Sequence, residues 1–129
     1  MKDPTYEAGL AVRRRILGDA HVKHSLENAT SFDQDFQDLV TRHAWGDIWT
    51  RPALDHRTRS LITIAMLAAG GHDEELRLHV RATRNTGATA DEVKEVLLQV
   101  AVYAGVPAAN SAFRVAKAAF EEMAKEDAR

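Results

Sequence analysis

The chain has 129 residues, and its 17 lysines and arginines against 19 aspartates and glutamates give a formal net charge of −2. No overall basic field is present to hold nucleic acid. The absence of cysteine excludes disulfides, cysteine-ligated zinc, iron–sulfur clusters and a thiol nucleophile. The length and the 45% of apolar residues are typical of one globular domain, 1–129.

The N-terminal part of the chain is charged. Its first 18 residues include three consecutive arginines and no apolar stretch of the kind found in secretory signals. The longest strongly apolar run, 61–69, is too short to span a bilayer. We therefore expect a cytoplasmic protein with no membrane partner.

Helix-forming residues dominate the chain. Alanine is abundant, prolines number three, and no long stretch alternates with a period of two. The first predicted helix covers 5–17 and ends at a glycine. The polar stretch 19–30 has no clear periodicity and is interpreted as a connection. A second helix is predicted from Ser31, an N-cap with Gln34 as its capping-box partner.

Four further helices are delimited by glycine, proline and capping residues. The third, 55–71, is apolar on all sides, so we expect it at the centre of the fold or in a subunit interface. The fourth, 73–87, has a thin apolar stripe. The fifth starts at Thr89, whose capping box closes with Glu92, and the sixth starts at Pro107. The pattern predicts an all-α, single-domain bundle of about six helices with two long antiparallel pairs at its heart.

The amount of apolar surface indicates self-association. The third helix is apolar all round, while the fourth offers only a narrow stripe to cover it. One small bundle cannot hide that much apolar surface, so a homo-oligomer is expected.

The fourth predicted helix carries the most informative polar group, His72, Glu75 and His79. Offsets of three and seven residues place all three within about 60° of one helix face. Glu75 lies one turn before His79 and would favour its protonated form, which makes His79 a candidate proton donor near neutral pH. Two other interpretations are an ordinary histidine at the edge of the core and a metal site, for which a fourth ligand is missing.

Two tryptophans and three arginines lie near the start of the third helix. Trp45 and Trp49 are four residues apart, so they share a helix face and either wall a ligand pocket or pack in the core. Arg51, Arg57 and Arg59 have guanidinium groups suited to bidentate capture of carboxylates. The alternative for the arginines is a solvated surface, although cations are disfavoured at a helix start.

The turn before the sixth helix is rich in small residues. Residues 103–110 read YAGVPAAN, and the helix start exposes backbone N–H groups that can bind an anion or a carbonyl oxygen. Asn110 adds a side-chain donor here. The plain alternative is a tight turn between two helices.

Taken in chain order, these groups resemble the carboxymuconolactone decarboxylase family. The likeness covers essentially the whole chain, and the block of tryptophan, arginine and proline is specific. The segments that carry it are 18–22 (GDAHV), 42–52 (RHAWGDIWTRP), 58–61 (TRSL), 75–79 (ELRLH), 92–97 (EVKEVL) and 103–110.

The resemblance implies an alkylhydroperoxidase-D-like helical fold assembled as a homohexamer or homotrimer, with active sites near subunit contacts. Relatives in the wider superfamily use a Cys-x-x-Cys pair ahead of a histidine. In this chain the two cysteine positions are His72 and Glu75, which leaves the histidine, His79, but excludes thiol peroxidase chemistry.

The implied activity is cofactor-independent decarboxylation of 4-carboxymuconolactone to β-ketoadipate enol-lactone and CO2, in the protocatechuate branch of the β-ketoadipate pathway. The substrate is a small lactone dicarboxylate that serves as its own electron sink, so neither an organic cofactor nor a metal is expected. The other possibilities are a family member that acts on a different lactone or keto acid, and a non-catalytic oligomeric binding module.

The reaction suggests a role for each candidate residue. His79 is expected to protonate the dienolate, with Glu75 orienting it or exchanging roles with it. Arg51, Arg57 or Arg59 is expected to hold the acetate arm, while Trp45 and Trp49 form an apolar wall beside the departing carboxylate. Asn110 or nearby backbone N–H groups are candidates for stabilising the developing oxyanion.

Overall fold

The structure, a computed structural model, describes residues 3–129, which divide into two compact units, 3–55 and 56–129. The described residues form eight α-helices, one π-helical segment and no strand, which confirms the all-α prediction. The first unit contains α1 (Pro4–Leu17), α2 (Asp19–Glu27), α3 (Gln34–Leu39) and the π segment (Val40–Ile48). The second contains α4 (His56–Gly70), α5 (Asp73–Arg81), α6 (Thr83–Thr86), α7 (Ala90–Tyr103) and α8 (Val106–Asp127).

The prediction of a connection over 19–30 is wrong, because α2 occupies most of it. Gly18 has a φ of 93°, which lets the chain leave α1 and begin α2 with no intervening loop. Val22 is the fully buried residue of α2. A single apolar anchor in a polar helix leaves no periodic stripe, so the pattern did not reveal it.

The predicted start of the second helix is also wrong. α3 begins at Gln34 rather than after Ser31, and the residue at its N-cap position is Asp33. The Asp33 carboxylate accepts a hydrogen bond from the backbone N–H of Thr30 at 2.7 Å, so it closes the preceding turn. A local aspartate turn thus takes the place of the predicted capping box.

The first unit is held together by backbone approach as much as by apolar packing. A Cβ added at Gly9 of α1 would lie 2.1 Å from the carbonyl oxygen of Thr41, and one at Gly46 would lie 2.5 Å from that of Thr5. The two glycines therefore allow α1 and the π segment to pack backbone against backbone. Arg13 is buried beside this contact, and its guanidinium donates to Thr41 Oγ1 and to Gln37 Oε1, both at 3.0 Å.

The second unit has a conventional apolar core. Its fully buried large side chains include Ile64 of α4, Leu76 and Val80 of α5, and Leu97 of α7. The fully buried residues that α8 contributes are a stripe of alanines at helical spacing (Ala109, Ala112, Ala116 and Ala119), and the partly buried Phe113, Val115 and Phe120 pack beside them. Because the alanine side chains are short, the other helices approach α8 closely.

Helix ends in the second unit agree with the sequence. Thr89 caps α7 by accepting from the N–H of Glu92 at 3.1 Å, and Glu92 accepts from the N–H of Thr89 at 2.9 Å, which confirms the predicted capping box. Pro107 lies in the first turn of α8, as predicted. The predicted fourth helix is interrupted at Ala82, which separates α5 from α6.

Large apolar side chains remain exposed in both units. On α4, Met66 is 68% exposed, so this apolar helix buries one face and presents another to solvent. Other exposed apolar residues are Phe32, Phe36, Leu39, Val102, Tyr103 and Val106. Within residues 3–129, no helix is both long and apolar enough to cross a membrane.

Candidate active site

Helix α5 places Glu75 and His79 one turn apart. Leu76 and Val80 are fully buried and fix this helix in the core, so their neighbour His79 lies at the core boundary and is half-buried. Glu75 is exposed. His79 therefore borders both the apolar core and the solvent-exposed side of α5.

Ion pairs hold the outer face of α5 against α8. Arg77 forms a two-pronged contact with Glu122, with distances of 3.0 and 2.8 Å. One turn later, Arg81 binds Glu126 through a single nitrogen, Nη2, which contacts both carboxylate oxygens. The side-chain hydrogen bond from Arg77 lowers the pKa of Glu122 and the same bond raises the pKa of Arg77. These pairs fix the direction of α5 and with it the position of His79.

His72 lies just before α5, whereas Glu75 and His79 lie within that helix. It occupies the N-cap position of α5, and its backbone N–H donates to the carbonyl of Leu67 at 3.0 Å. Its ring lies over Gly70, where an added Cβ would be 2.7 Å from His72 Cδ2. Within residues 3–129, no three histidine, cysteine, aspartate or glutamate side chains are grouped so that they could hold a metal ion.

The arginines differ in their surroundings. Arg57, in the first turn of α4, binds Glu92 through Nε at 3.1 Å and through a second, shorter contact. Glu92 is also the capping-box partner of Thr89 in the first turn of α7, so this contact ties the start of α4 to the start of α7. Arg59 is half-buried in the same turn of α4, and Arg51 is exposed ahead of that helix.

Trp45 and Trp49 lie in the first unit, at the end of the π segment. Their ring centroids are 4.9 Å apart with the planes inclined at 33°, which confirms that the pair shares one face. Trp45 is 5% exposed and Trp49 is 7% exposed. π-helical turns recur at functional sites because they displace side chains from regular helical positions. The sequence pattern did not predict this π-helical segment.

Asn110 lies in a groove between α7 and α8 that sequence reasoning missed. The groove has a volume of about 500 Å³, and the half-buried rings of Phe113 and Phe120 line it. Three cations surround these rings: Lys94 of α7, and Arg114 and Lys117 of α8. Asn110, Arg114 and Lys117 follow one another at offsets of four and three residues, a spacing that was visible in the sequence.

Comparison with known proteins identifies the class of protein. Residues 34–118 match the model of the carboxymuconolactone decarboxylase family, and the chain belongs to that family.

Individual relatives refine the comparison. The chain is 50% identical to 4-carboxymuconolactone decarboxylase of Acinetobacter baylyi over 118 residues, which cover 92% of this chain and 88% of the relative. It is 38% identical to nitrosuccinic acid decarboxylase of Metarhizium robertsii over 118 residues, 92% of this chain and 82% of the relative. A 42-residue match to 4-carboxymuconolactone decarboxylase of Pseudomonas putida is 55% identical and covers 33% of this chain and 88% of the relative.

Proposed function

We propose that this chain is a carboxy-lyase that converts 4-carboxymuconolactone to β-ketoadipate enol-lactone and CO2, a step of protocatechuate degradation. The observation that carries the proposal is the 50% identity to a 4-carboxymuconolactone decarboxylase across nearly the whole chain. The half-buried His79, one turn from Glu75, provides the acid–base group that the chemistry needs.

The substrate supplies the electron sink itself. One ring carbon of the lactone bears both the departing carboxylate and an acetate arm. When the carbon–carboxylate bond breaks, its electron pair moves through the ring double bond onto the lactone carbonyl and gives a dienolate. Protonation of the carbon next to that carbonyl completes the enol-lactone. The protein therefore has to bind two carboxylates, stabilise one oxyanion and deliver one proton, and no cofactor is required.

His79 is the proposed proton donor, and Glu75 the residue that positions it. An imidazole titrates near neutral pH, so it can release a proton to the dienolate and regain one from solvent in each cycle. Glu75 lies one turn earlier on the same helix and is proposed to orient the imidazole. An exchange of the two roles is the alternative assignment.

Arg51, Arg57 or Arg59 is proposed to hold the acetate arm. Arg57 binds Glu92, so a substrate carboxylate would have to displace that partner. Arg59 is half-buried and Arg51 is exposed. Binding of the acetate arm favours catalysis because it leaves the departing carboxylate without a cationic partner that would stabilise the ground state.

The remaining roles rest on the reaction alone. Trp45 and Trp49 are proposed to provide an apolar surface for the departing carboxylate, although both rings are almost wholly buried in the first unit. Asn110 is proposed as a donor to the lactone oxyanion. A homohexamer or homotrimer remains the predicted assembly, and the exposed apolar side chains of both units support self-association. The predicted location is the cytoplasm.

A second candidate substrate class comes from the fungal relative, named a nitrosuccinic acid decarboxylase. Nitrosuccinic acid is also a dicarboxylic acid, and its nitro group can accept the electron pair left by the departing CO2. The two substrates share a leaving carboxylate, a retained carboxylate arm and an internal electron sink. The second candidate is therefore a different dicarboxylic acid decarboxylated with the same proton donor.

The test compares three proteins on 4-carboxymuconolactone generated in place by its cycloisomerase. The wild type is expected to release CO2 in the presence of a chelator. His79→Ala is expected to lower turnover by about 10²- to 10⁴-fold, while His24→Ala, which removes an exposed helical histidine, leaves it unchanged. Less than a threefold loss in folded His79→Ala would exclude the proton-donor role. No acceleration by wild type, together with turnover of nitrosuccinate, would favour the second candidate, and tight binding without turnover would favour a binding module.

A further inference from the structure

Residues 31–39 of the first unit combine aspartates with aromatic side chains, and we call them the acidic segment. It presents Phe32, Phe36 and Leu39 to solvent, with exposures of 95%, 60% and 53%. Phe32 lies in the turn that precedes α3, and Phe36 and Leu39 lie three residues apart on α3 itself. Two exposed phenylalanines so close together are unusual unless a partner covers them.

Carboxylates accompany these apolar side chains. Asp33, Asp35 and Asp38 alternate with the aromatic residues along the acidic segment, which contains no basic residue. The carboxylate of Asp33 is used locally by Thr30, and that of Asp38 accepts from Gln34. Asp35 is exposed at the middle of the segment. The segment therefore offers an apolar face with a negative border.

The groove between α7 and α8 in the second unit has the complementary character. Its walls include Val93, Leu97, Phe113 and Phe120, and its border carries Lys94, Arg114 and Lys117. No acidic residue lines it. Among residues 3–129, no ion pair engages any of the three cations.

A second apolar groove, between α4 and α7, lacks the positive border that the acidic segment requires. The groove between α4 and α7 has Leu61, Ile62 and Met66 among its lining residues, and none of those residues is charged. It would accept apolar side chains but has no cation to pair with the three aspartates. Burial of a carboxylate without a partner is costly. The groove between α7 and α8 provides both the apolar walls and the positive charge.

We propose that the acidic segment of one copy docks in the groove between α7 and α8 of a second copy. Phe32, Phe36 and Leu39 would pack on the aromatic walls, and the three aspartates would face the lysine and arginine border. Each copy carries both surfaces, so the contact is heterologous and closes into a ring when the rotation between neighbours permits. The proposal rests on the self-association proposed above, and it competes with the oxyanion role proposed for Asn110, which lines the same groove.

Charge reversal tests the electrostatic part of the contact by sedimentation. Lys117→Glu and Asp35→Lys are each expected to raise the dissociation constant of the oligomer by at least about tenfold. The double variant is expected to return it to within about threefold of wild type, because the reversed charges again attract. Lys125→Glu, on the same helix but eight residues and about 12 Å further along, is the control and should leave association unchanged.

The apolar part has its own variant. Phe36→Ala is expected to weaken association by at least about tenfold without altering unfolding, since Phe36 is 60% exposed within its own unit. Val102→Ala, which shortens another exposed side chain outside the groove, is the matched control.

Cross-linking locates the contact directly, because the chain has no cysteine of its own. Asp35→Cys in one tagged copy and Lys117→Cys in another should be joined by a short bifunctional thiol reagent, and Asp35→Cys with Lys125→Cys should not. If both charge reversals leave the dissociation constant of the oligomer unchanged and no 35–117 cross-link forms, the proposed interface is wrong, although self-association is still supported. A chain that stays monomeric at every concentration overturns both.

Discussion

The two units of this chain are stabilised in different ways. In residues 3–55, two glycines bring backbones together and a buried arginine donates to a threonine and a glutamine. In residues 56–129, large aliphatic side chains from α4, α5 and α7 pack on a stripe of alanines from α8. The first arrangement depends on a few specific polar and steric matches, whereas the second depends on apolar volume. The difference predicts which kind of substitution each unit tolerates.

Both tryptophans lie in the first unit, which provides a probe for the comparison. Their fluorescence reports unfolding of residues 3–55, while far-ultraviolet circular dichroism reports helix loss throughout the chain. Shifts of the two urea transitions can therefore be compared for each variant.

The largest effect is expected from Leu76→Ala in the second unit. Leu76 is fully buried, so its truncation leaves a cavity and should cost about 3 to 4 kcal/mol. The circular dichroism transition should move by more than the fluorescence transition. Equal movement of both would contradict the view that the two units have separate cores.

Gly9→Ala comes next and acts in the first unit. The new methyl group would lie 2.1 Å from the backbone oxygen of Thr41. This clash can be relieved only if α1 moves away from the π segment. We expect a loss of about 2 to 3 kcal/mol in the fluorescence transition. Gly18→Ala is the comparison variant: none of the described residues lies within 4 Å of that Cβ, so its loss, about 1 to 3 kcal/mol, comes from backbone strain at φ 93° and ψ 145° alone.

Arg13→Met should have a smaller effect on the same transition. The methionine keeps most of the apolar stem but loses the two hydrogen bonds to Thr41 and Gln37, at a cost of about 1 to 2 kcal/mol. Arg13 is 6% exposed, so little solvent reaches the site to replace those bonds, and this burial also lowers the pKa of its guanidinium. An unchanged midpoint would show that packing alone holds the first unit.

The smallest effect is a pH dependence of the first unit. Burial, followed by the positive charges of Arg13 and His24, lowers the pKa of His21. The unfolded chain therefore binds a proton at a higher pH than the folded one, and stability falls as the pH drops below about 6.5. The fluorescence midpoint should be lower at pH 5.5 than at pH 7.5, and His21→Gln should reduce that difference. An equal difference in both proteins would assign it to other groups.

The same contrast explains what the sequence predicted. In the second unit, Thr89 with Glu92, Pro107 and the apolar run of α4 made helix limits visible, since caps and periodic stripes are local signals. In the first unit, α2 has one buried anchor and the π segment depends on the approach of Gly9 to Gly46, far apart in the chain. No local pattern records such a contact.

The candidate site divides in a similar way. Spacing placed Glu75 and His79 on one helix and Trp45 beside Trp49, as the structure has them. Spacing did not show that Arg57 is bound to Glu92, because that contact joins residues 35 positions apart. It also left unnoticed the basic groove around Asn110, whose walls come from two helices.

The central claim is that His79 protonates a dienolate formed by decarboxylation of a lactone, and one measurement tests it most directly. Wild type and His79→Ala are incubated with 4-carboxymuconolactone in D2O, and the enol-lactone is followed by nuclear magnetic resonance. We predict that wild type forms product with a single deuterium on one face of the carbon beside the lactone carbonyl. His79→Ala should form little product. The single deuterium in that product should be distributed between the two faces of the same carbon. Deuterium confined to one face at an undiminished rate in His79→Ala would contradict the claim and assign the proton to another residue.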